Sequence, residues 1–319
     1  MSAWSRLRRG ETTIDFVGLR RRWLMISAGL LLISLASLGI RQLNLGIEFE
    51  GGLAVQAPNP ARADIAEIRT ALEEAGIIDA TIQDLGDGES VRVTTSELDT
   101  DVEEAAIVAL VEVTGGTRDE VSIAAVGPSF GALVARRALT ALAVFLGAVV
   151  LFISWRLEFK MAMAGITALF HDLVITFGVY SITGFEVTPA TVVAILTILG
   201  YSLYDTVVVF DKVEELVEQD DKSSYTVIIN NAMNSVLGRS LNTSLTSLLP
   251  IGSILFVGSL LLGASTLGEF ALALFVGIAA GTYSSIFVAA PLLATWKERE
   301  EEWIGRAEKS ARRAKSARS

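Results

Sequence analysis

Six long apolar stretches divide this chain of 319 residues, and they constrain its fold more than any other feature. A helix needs about 20 mostly apolar residues to cross a hydrocarbon core about 30 Å thick. The stretches that meet or approach this length are Trp23–Ile40, Ala138–Trp155, Met161–Ile182, Pro189–Phe210, Leu241–Leu262 and Leu267–Trp296. The sequence therefore predicts an α-helical polytopic membrane protein with six transmembrane helices.

The composition agrees with this class and argues against several others. Hydrophobic residues make up 51% of the chain and charged residues 19%, and the formal net charge is −10. An excess of acid argues against nucleic-acid binding, which requires a basic surface. The chain has 0 Cys and 1 His, too few for a thiolate or multi-histidine metal site, and it lacks the G-x-x-x-x-G-K-[ST] phosphate-binding loop. We expect no metal, no cofactor and no enzyme activity.

Lysine and arginine in the loops predict the orientation in the membrane. The N-terminal tail has six Arg and the tail after Trp296 has eight Lys or Arg, whereas the loops at 183–188 and 263–266 have none. Both termini are therefore expected in the cytoplasm, although Arg136 and Arg137 depart from the rule. The first apolar run lacks a small-residue cleavage site and is read as an uncleaved anchor. The predicted division is a cytoplasmic tail at 1–22, a first transmembrane helix at 23–43, an extracytoplasmic domain at 44–133, transmembrane helices two to six at 134–296 and a basic cytoplasmic tail at 297–319.

The segment between the first two spans has the character of a soluble domain. Residues Asn44–Phe130 contain 18 acidic and 4 basic side chains. Turn, cap and alternation signals predict strands at Ile47–Gln56, Ala80–Asp84, Ser90–Thr95 and Glu120–Val126, with helices from Asn59–Pro60 to Gly76 and from Thr100 to Gly115–Gly116. This β–α–β–β–α–β order predicts an α+β ferredoxin-like domain. Its acidic surface either serves solubility or docks a basic partner.

A carboxylate in span four is a candidate functional residue. Asp205 lies 16 residues after Pro189, so an ideal helix places it roughly 24 Å down the span, still inside the bilayer. An ionised side chain at this depth costs about 2.5 kcal/mol or more, so it normally has a partner or a task. The alternative is an interfacial carboxylate that reaches water.

Span five has a polar stripe in an otherwise apolar helix. Its members follow helical spacing and are Arg239, Asn242, Thr243, Thr246, Ser247 and Pro250. Such a stripe is expected to face other helices or water rather than lipid. Arg239 begins the stripe near the expected depth of Asp205, so the two can form an ion pair. Ordinary helix packing and a positive-inside anchor are the alternatives, and Pro250 is expected to kink the helix.

The third candidate is His171–Asp172, about ten residues into span three and so near the midplane. Neighbours in sequence point about 100° apart on a helix, so the two side chains need not share a partner. A single buried histidine is commonly structural, but a midplane histidine beside a midplane aspartate is unusual. Both are candidates for proton coupling.

Five motifs together carry a resemblance that covers nearly the whole chain. They are Gly46–Ile47–Glu48–Phe49–Glu50–Gly51–Gly52 after span one, His171–Asp172 in span three, Gly200 to Asp211 in span four, Arg239 to Thr246 in span five and Gly281 to Phe287 in span six. On these residues the chain resembles the SecF family of bacterial protein-export subunits, within the resistance–nodulation–division superfamily. It departs from the usual pattern at Glu48, Tyr204, Lys212 and Ser240.

The resemblance implies a function, partners and site residues. SecF-like proteins pair with SecD in the bacterial cytoplasmic membrane, and together they use the proton motive force to promote late steps of preprotein translocation. The SecY–SecE–SecG channel and, indirectly, SecA are the further partners. Proton coupling is carried over to Asp205 and Arg239, and protons are the only coupling ion expected. Gly51 and Gly52 are expected to act as part of a hinge beneath the outside domain.

Three alternatives remain at this point. The first is a proton-driven small-molecule exporter subunit of the same superfamily. The second is a structural stabiliser of a membrane complex without transport of its own. The third, an intramembrane aspartyl protease, requires Asp172 and Asp205 to approach closely, although their expected depths differ.

Overall fold

The computed structural model describes residues 12–85, 88–96, 99–220, 222–261 and 265–316. Within these ranges, six helices are long and apolar enough to cross a membrane, in agreement with the sequence. We call them spans one to six, and they cover Arg20–Ile40, Pro128–Arg156, Phe159–Thr183, Pro189–Gln219, Tyr225–Gly258 and Leu267–Lys297.

Several span helices extend well beyond the predicted apolar stretches. Span two begins at Pro128, ten residues before the predicted Ala138, and span four continues to Gln219. Span five begins at Tyr225 rather than Leu241, because the preceding segment is an amphipathic helix with a buried apolar face that includes Ile229 and Met233. The helix passes through Pro250 as an α-helix to Ser253 and continues with π-helical geometry over Ile254–Leu261.

Spans four and six approach each other closely because span six has glycines where they meet. A Cβ at Gly277 would lie 2.0 Å from Cδ1 of Ile198, and one at Gly281 would lie 2.8 Å from Cβ of Ser202. Any side chain at these two positions would force the helices apart. The two glycines therefore allow close helix packing, which places the polar residues of span six against span four.

The segment between spans one and two contains a four-stranded antiparallel sheet and two longer helices. The strands are β2 (Gly52–Pro58), β3 (Ala80–Leu85), β4 (Ser90–Thr95) and β5 (Ser122–Val126), and they lie in the order β3-β4-β2-β5. Helix α2 (Ile65–Glu74) follows β2, and helix α3 (Thr100–Thr114) follows β4. Both helices cover one face of the sheet, where side chains such as Leu53, Ile68 and Leu110 are buried.

Three predicted boundaries in this segment were wrong. The first half of the predicted strand Ile47–Gln56 is a short helix, α1 (Ile47–Glu50), which ends at Gly51. Helix α2 begins at Ile65 rather than at Asn59–Pro60, because Asp64 caps it and forms a capping box with Glu67. Strand β5 begins at Ser122 rather than Glu120, because Arg118–Glu120 is a short 3-10 helix. Helix α3 begins at Thr100 as predicted, and Asp99 caps it. The sequence also predicts a turn at Gly86–Asp87–Gly88 between β3 and β4, and its first two residues lie outside the described ranges.

A strand pair and a glycine junction are among the features that join the sheet domain to the spans. Strand β1 (Asn44–Leu45) pairs in parallel with β6 (Glu186–Val187), which connects spans three and four. At the junction of α1 and β2, Gly51 and Gly52 have φ values of 83° and 127°, which favour glycine. A Cβ at Gly52 would lie 2.3 Å from the carbonyl oxygen of Thr95, so this junction is sterically closed to side chains. The hinge function of the two glycines stays a prediction.

Candidate functional site

The carboxylate of Asp172 lies at the centre of a buried polar cluster within the spans. Its Oδ1 lies 3.1 Å from Nδ1 of His171, and its Oδ2 accepts hydrogen bonds from Ser202 Oγ at 2.6 Å and Ser284 Oγ at 2.8 Å. All four residues are buried, with Asp172 only 2% exposed. Spans three, four and six each supply a member. We call His171, Asp172, Ser202 and Ser284 the Asp172 cluster.

The histidine of this cluster is also tied to other spans. The ring of His171 stacks on that of Tyr283 with 6.0 Å between centroids, and the hydroxyl of Tyr283 donates to the carbonyl oxygen of Trp23 in span one. The Nε2 atom of His171 is buried without a hydrogen-bond partner among the described residues. His171 and Asp172, although neighbours in sequence, therefore contact each other directly, which the sequence left open.

The second buried carboxylate, Asp205, has a different partner from the one expected. Its Oδ1 accepts a 2.7 Å hydrogen bond from Ser240 Oγ, and its Oδ2 is buried without a partner among the described residues. Asp205 is 8% exposed and Ser240 is 1% exposed. Ser244, one turn further along span five, bonds Thr282 of span six at 2.6 Å. Asp205, Ser240, Ser244 and Thr282 form the Asp205 cluster.

The predicted Asp205–Arg239 ion pair is not formed in this structure. Arg239 instead donates a hydrogen bond to the hydroxyl of Tyr204, and its guanidinium carbon lies 5.7 Å from the centre of the Tyr204 ring. Ser240 and Arg239 are adjacent on the helix, so they point about 100° apart. Ser240 faces the other spans of this chain, whereas Arg239 points with Tyr204 to the outer surface of the bundle. Tyr204 is 52% exposed.

The rest of the predicted polar stripe also lies toward the outside of the bundle. Asn242 and Thr246 are exposed, and Thr243 and Ser247 are partly exposed. The hydroxyl groups of Thr243 and Thr246 donate to the backbone carbonyls of Arg239 and Asn242, four residues earlier. Ser240 and Ser244 are instead buried polar residues of span five. The sequence marked Ser240 only as a departure from the family pattern and did not single out Ser244. Their spacing of four residues was the available signal.

The two clusters are adjacent but share none of their hydrogen-bonded side chains. Ser202 and Asp205 lie within one turn of span four, and between the clusters Thr206 Oγ1 contacts Ser285 Oγ at 3.0 Å. Asp172 and Asp205 have no common partner among the bonds described above. This arrangement does not match a protease, in which two carboxylates share a single catalytic centre.

Spans and clusters together define a polytopic membrane protein with two carboxylates buried among hydroxyl groups. Residues 101–299 match the family model described as protein export membrane protein SecD/SecF, C-terminal. The protein translocase subunit SecF of Streptomyces coelicolor is 42% identical over 301 residues, which cover 93% of this chain and 80% of that protein. The SecF of Mycobacterium tuberculosis is 40% identical over 93% of this chain and 70% of its own length.

A solved structure shows the same fold. The crystal structure of SecDF from Thermus thermophilus, described as a translocon-associated membrane protein, superposes with a TM-score of 0.82 at 32% identity. The superposition covers 91% of this chain and 39% of that one. This chain therefore belongs to the SecF family of protein translocase subunits.

Proposed function

We propose that this chain acts in Sec-dependent protein export as the SecF subunit of a complex with SecD, and that proton movement drives its work. Family membership supports the export role. The fused SecDF of Thermus thermophilus supports SecD as a partner, because this chain matches 40% of that longer protein. Preproteins leaving the SecY–SecE–SecG channel are the proposed substrates, with SecA acting earlier.

The buried Asp205 carboxylate carries the proposal of proton coupling. An ionised carboxylate in an apolar interior is costly unless its oxygens are satisfied, and only one oxygen of Asp205 has a partner among the described residues. Binding and release of a proton change this cost by several kcal/mol, enough to bias two conformations. Asp172 has one side-chain partner on its own span and two on other spans. It is the proposed second proton-binding group.

The exposed stripe of span five supports the proposal that SecD helices bind this surface. Polar side chains at membrane depth face protein or water rather than lipid, and this stripe has no cover from the described part of the chain. Arg239, held by Tyr204, lies on the same surface. We infer that a SecD helix covers Arg239, Asn242 and Thr246, and that a partner group approaches the Arg239 guanidinium.

Co-purification tests the partner surface. Asn242→Trp places a large ring on the stripe and is expected to reduce recovery of SecD with the tagged chain at least fivefold after mild solubilisation. Thr167→Trp is the matched control, because Thr167 is an exposed threonine in span three that bonds its own helix through Met163. Equal recovery of SecD from both variants would contradict the proposed surface. Recovery of an efflux duct in place of SecD would favour the exporter.

We further infer that residues 44–133 form an extracytoplasmic ferredoxin-like domain and that both termini lie in the cytoplasm of a bacterium. The strand order β3-β4-β2-β5, with one helix in each crossover, supports the ferredoxin-like assignment. The distribution of loop Lys and Arg supports the orientation.

Single cysteines test the orientation cleanly because the parent chain has 0 Cys. Ile78→Cys, at a site that is 78% exposed in the sheet domain, is expected to react with a membrane-impermeant maleimide in intact spheroplasts. Glu218→Cys, at the exposed C-terminal end of span four, is expected to react only after permeabilisation. The opposite labelling pattern would overturn the orientation.

A further inference from the structure

Arg92 joins the sheet domain to two different parts of the membrane bundle. Its Nη1 lies 3.3 Å from Oε2 of Glu186, between spans three and four, and 3.2 Å from Oε1 of Glu269, at the start of span six. Thr94, two residues along β4, donates a 3.4 Å hydrogen bond to the other oxygen of Glu186. Strand β4 belongs to the domain, so these bonds cross from the domain to the spans.

The contact is buried, which strengthens the interaction between its charges. The side chains of Glu186 and Glu269 are 6% and 5% exposed, and that of Arg92 is 16% exposed. Exposed ion pairs contribute little because water screens them, whereas buried charges interact in a lower dielectric. Breaking such a contact by removing one partner leaves the other charges uncompensated.

The contact between the sheet domain and the spans contains more acidic than basic side chains. Glu48 of α1 also acts electrostatically on both Glu186 and Glu269, and its Oε2 is buried without a hydrogen-bond partner among the described residues. The carboxylates of Glu186 and Glu269 thus flank the guanidinium of Arg92, Glu48 acts on both carboxylates from α1, and the hydroxyls of Thr94 and Thr188 are neutral donors to them. We call Arg92, Glu48, Glu186 and Glu269 the outer charge cluster.

We propose that the outer charge cluster is a proton-sensitive latch that fastens the sheet domain to the spans while it holds a proton. The proposal rests on the proposed function, in which protons enter from the side of the membrane where the sheet domain lies. Its position suits this task, because it ties β4, a strand with no direct chain connection to the spans, to both β6 and span six.

The direction of the pH effect follows from Glu186. Burial raises the pKa of Glu186 and the charge of Glu48 raises it further, while Arg92 and Thr94 oppose this change. An acid whose pKa is raised in the docked state binds a proton more tightly there than when the domain has moved away and water reaches it. Docking is therefore strongest below the raised pKa and weakens as external pH rises through it.

Pulsed electron–electron double resonance on the whole chain in lipid nanodiscs tests the latch. Nitroxides at Ile78→Cys in the domain and Thr183→Cys at the end of span three report the distance between domain and spans. We expect one narrow distance distribution at pH 5.5 and at least a twofold broader or longer distribution at pH 8.5. Arg92→Gln is expected to give the broad distribution at both pH values. Glu186→Gln, which resembles the protonated acid, is expected to reduce the pH dependence at least twofold.

Arg118→Gln is the matched control, because it removes an ion pair with Glu104 on the exposed surface of the same domain. It is expected to behave like the parent at both pH values. Circular dichroism of each variant shows whether the domain remains folded. Distance distributions of Arg92→Gln that match those of the parent at both pH 5.5 and pH 8.5 would overturn the latch. Because this experiment measures neither export nor proton flux, its failure is distinct from failure of the proposed function.

Discussion

Asp205→Asn is expected to abolish the proton-dependent stimulation of export while the protein remains folded and assembled. The asparagine keeps the size of the side chain and an oxygen that accepts from Ser240, but it cannot exchange a proton with its surroundings. One elementary charge moved through 100 mV is worth about 2.3 kcal/mol, or roughly a fiftyfold bias between two conformations. Secretion of a reporter, measured with and without a collapsed proton gradient, shows whether this bias is lost.

Asp211→Asn provides the control on the same helix. Asp211 is partly exposed and forms a 2.8 Å ion pair with Arg156. Removing an exposed ion pair changes stability by about 1 kcal/mol or less, so export is expected to stay at the parental level. Parental secretion by Asp205→Asn at normal protein abundance would instead favour a structural subunit with no proton-driven step.

Gly281→Leu is expected to destabilise the bundle more than any other single change considered. A Cβ at this position would lie 2.8 Å from Cβ and 3.2 Å from Cα of Ser202, so backbone as well as side chain must move. Overpacking of this kind typically costs about 1–3 kcal/mol and occasionally more. The shift also moves Ser202 and Ser284 relative to Asp172, so residual protein is expected to export poorly. Thermal unfolding in detergent, followed by tryptophan fluorescence, measures the loss of stability.

Gly147→Leu makes the same substitution where the structure has room. Gly147 lies in span two, and apart from its own helix backbone an added Cβ would have no atom of the described residues within 4 Å. Its melting temperature is expected to stay within a few degrees of the parent. Equal destabilisation by both substitutions would mean that leucine itself, and not the contact with Ser202, is responsible.

The spans were predictable because hydropathy is summed over about 20 residues, so single misread positions have little effect. Strands β3 and β4 were predictable from turn residues and alternation. Helix α1 was missed because four residues are too few for a helical period to appear. The extension of span five to Tyr225 was missed because that segment is amphipathic rather than uniformly apolar.

The candidate site was only half predictable, for a geometric reason. Buried charge is rare in a span, so Asp172 and Asp205 stood out from composition alone. Helical spacing identifies a polar stripe but not the direction it faces. Ser240 and Ser244 lie about 100° from the Arg239 stripe, and only the packing against spans four and six shows that they, rather than Arg239, meet Asp205 and Thr282.

Proton flux in proteoliposomes tests the central claim most directly. The chain and its SecD partner are reconstituted with a pH-sensitive dye inside, and an inward proton gradient with a negative-inside potential is imposed. Proton entry above the protein-free background is predicted for the parent and for Asp211→Asn, and entry at background is predicted for Asp205→Asn. Proton entry through Asp205→Asn at the parental rate would contradict proton coupling at Asp205.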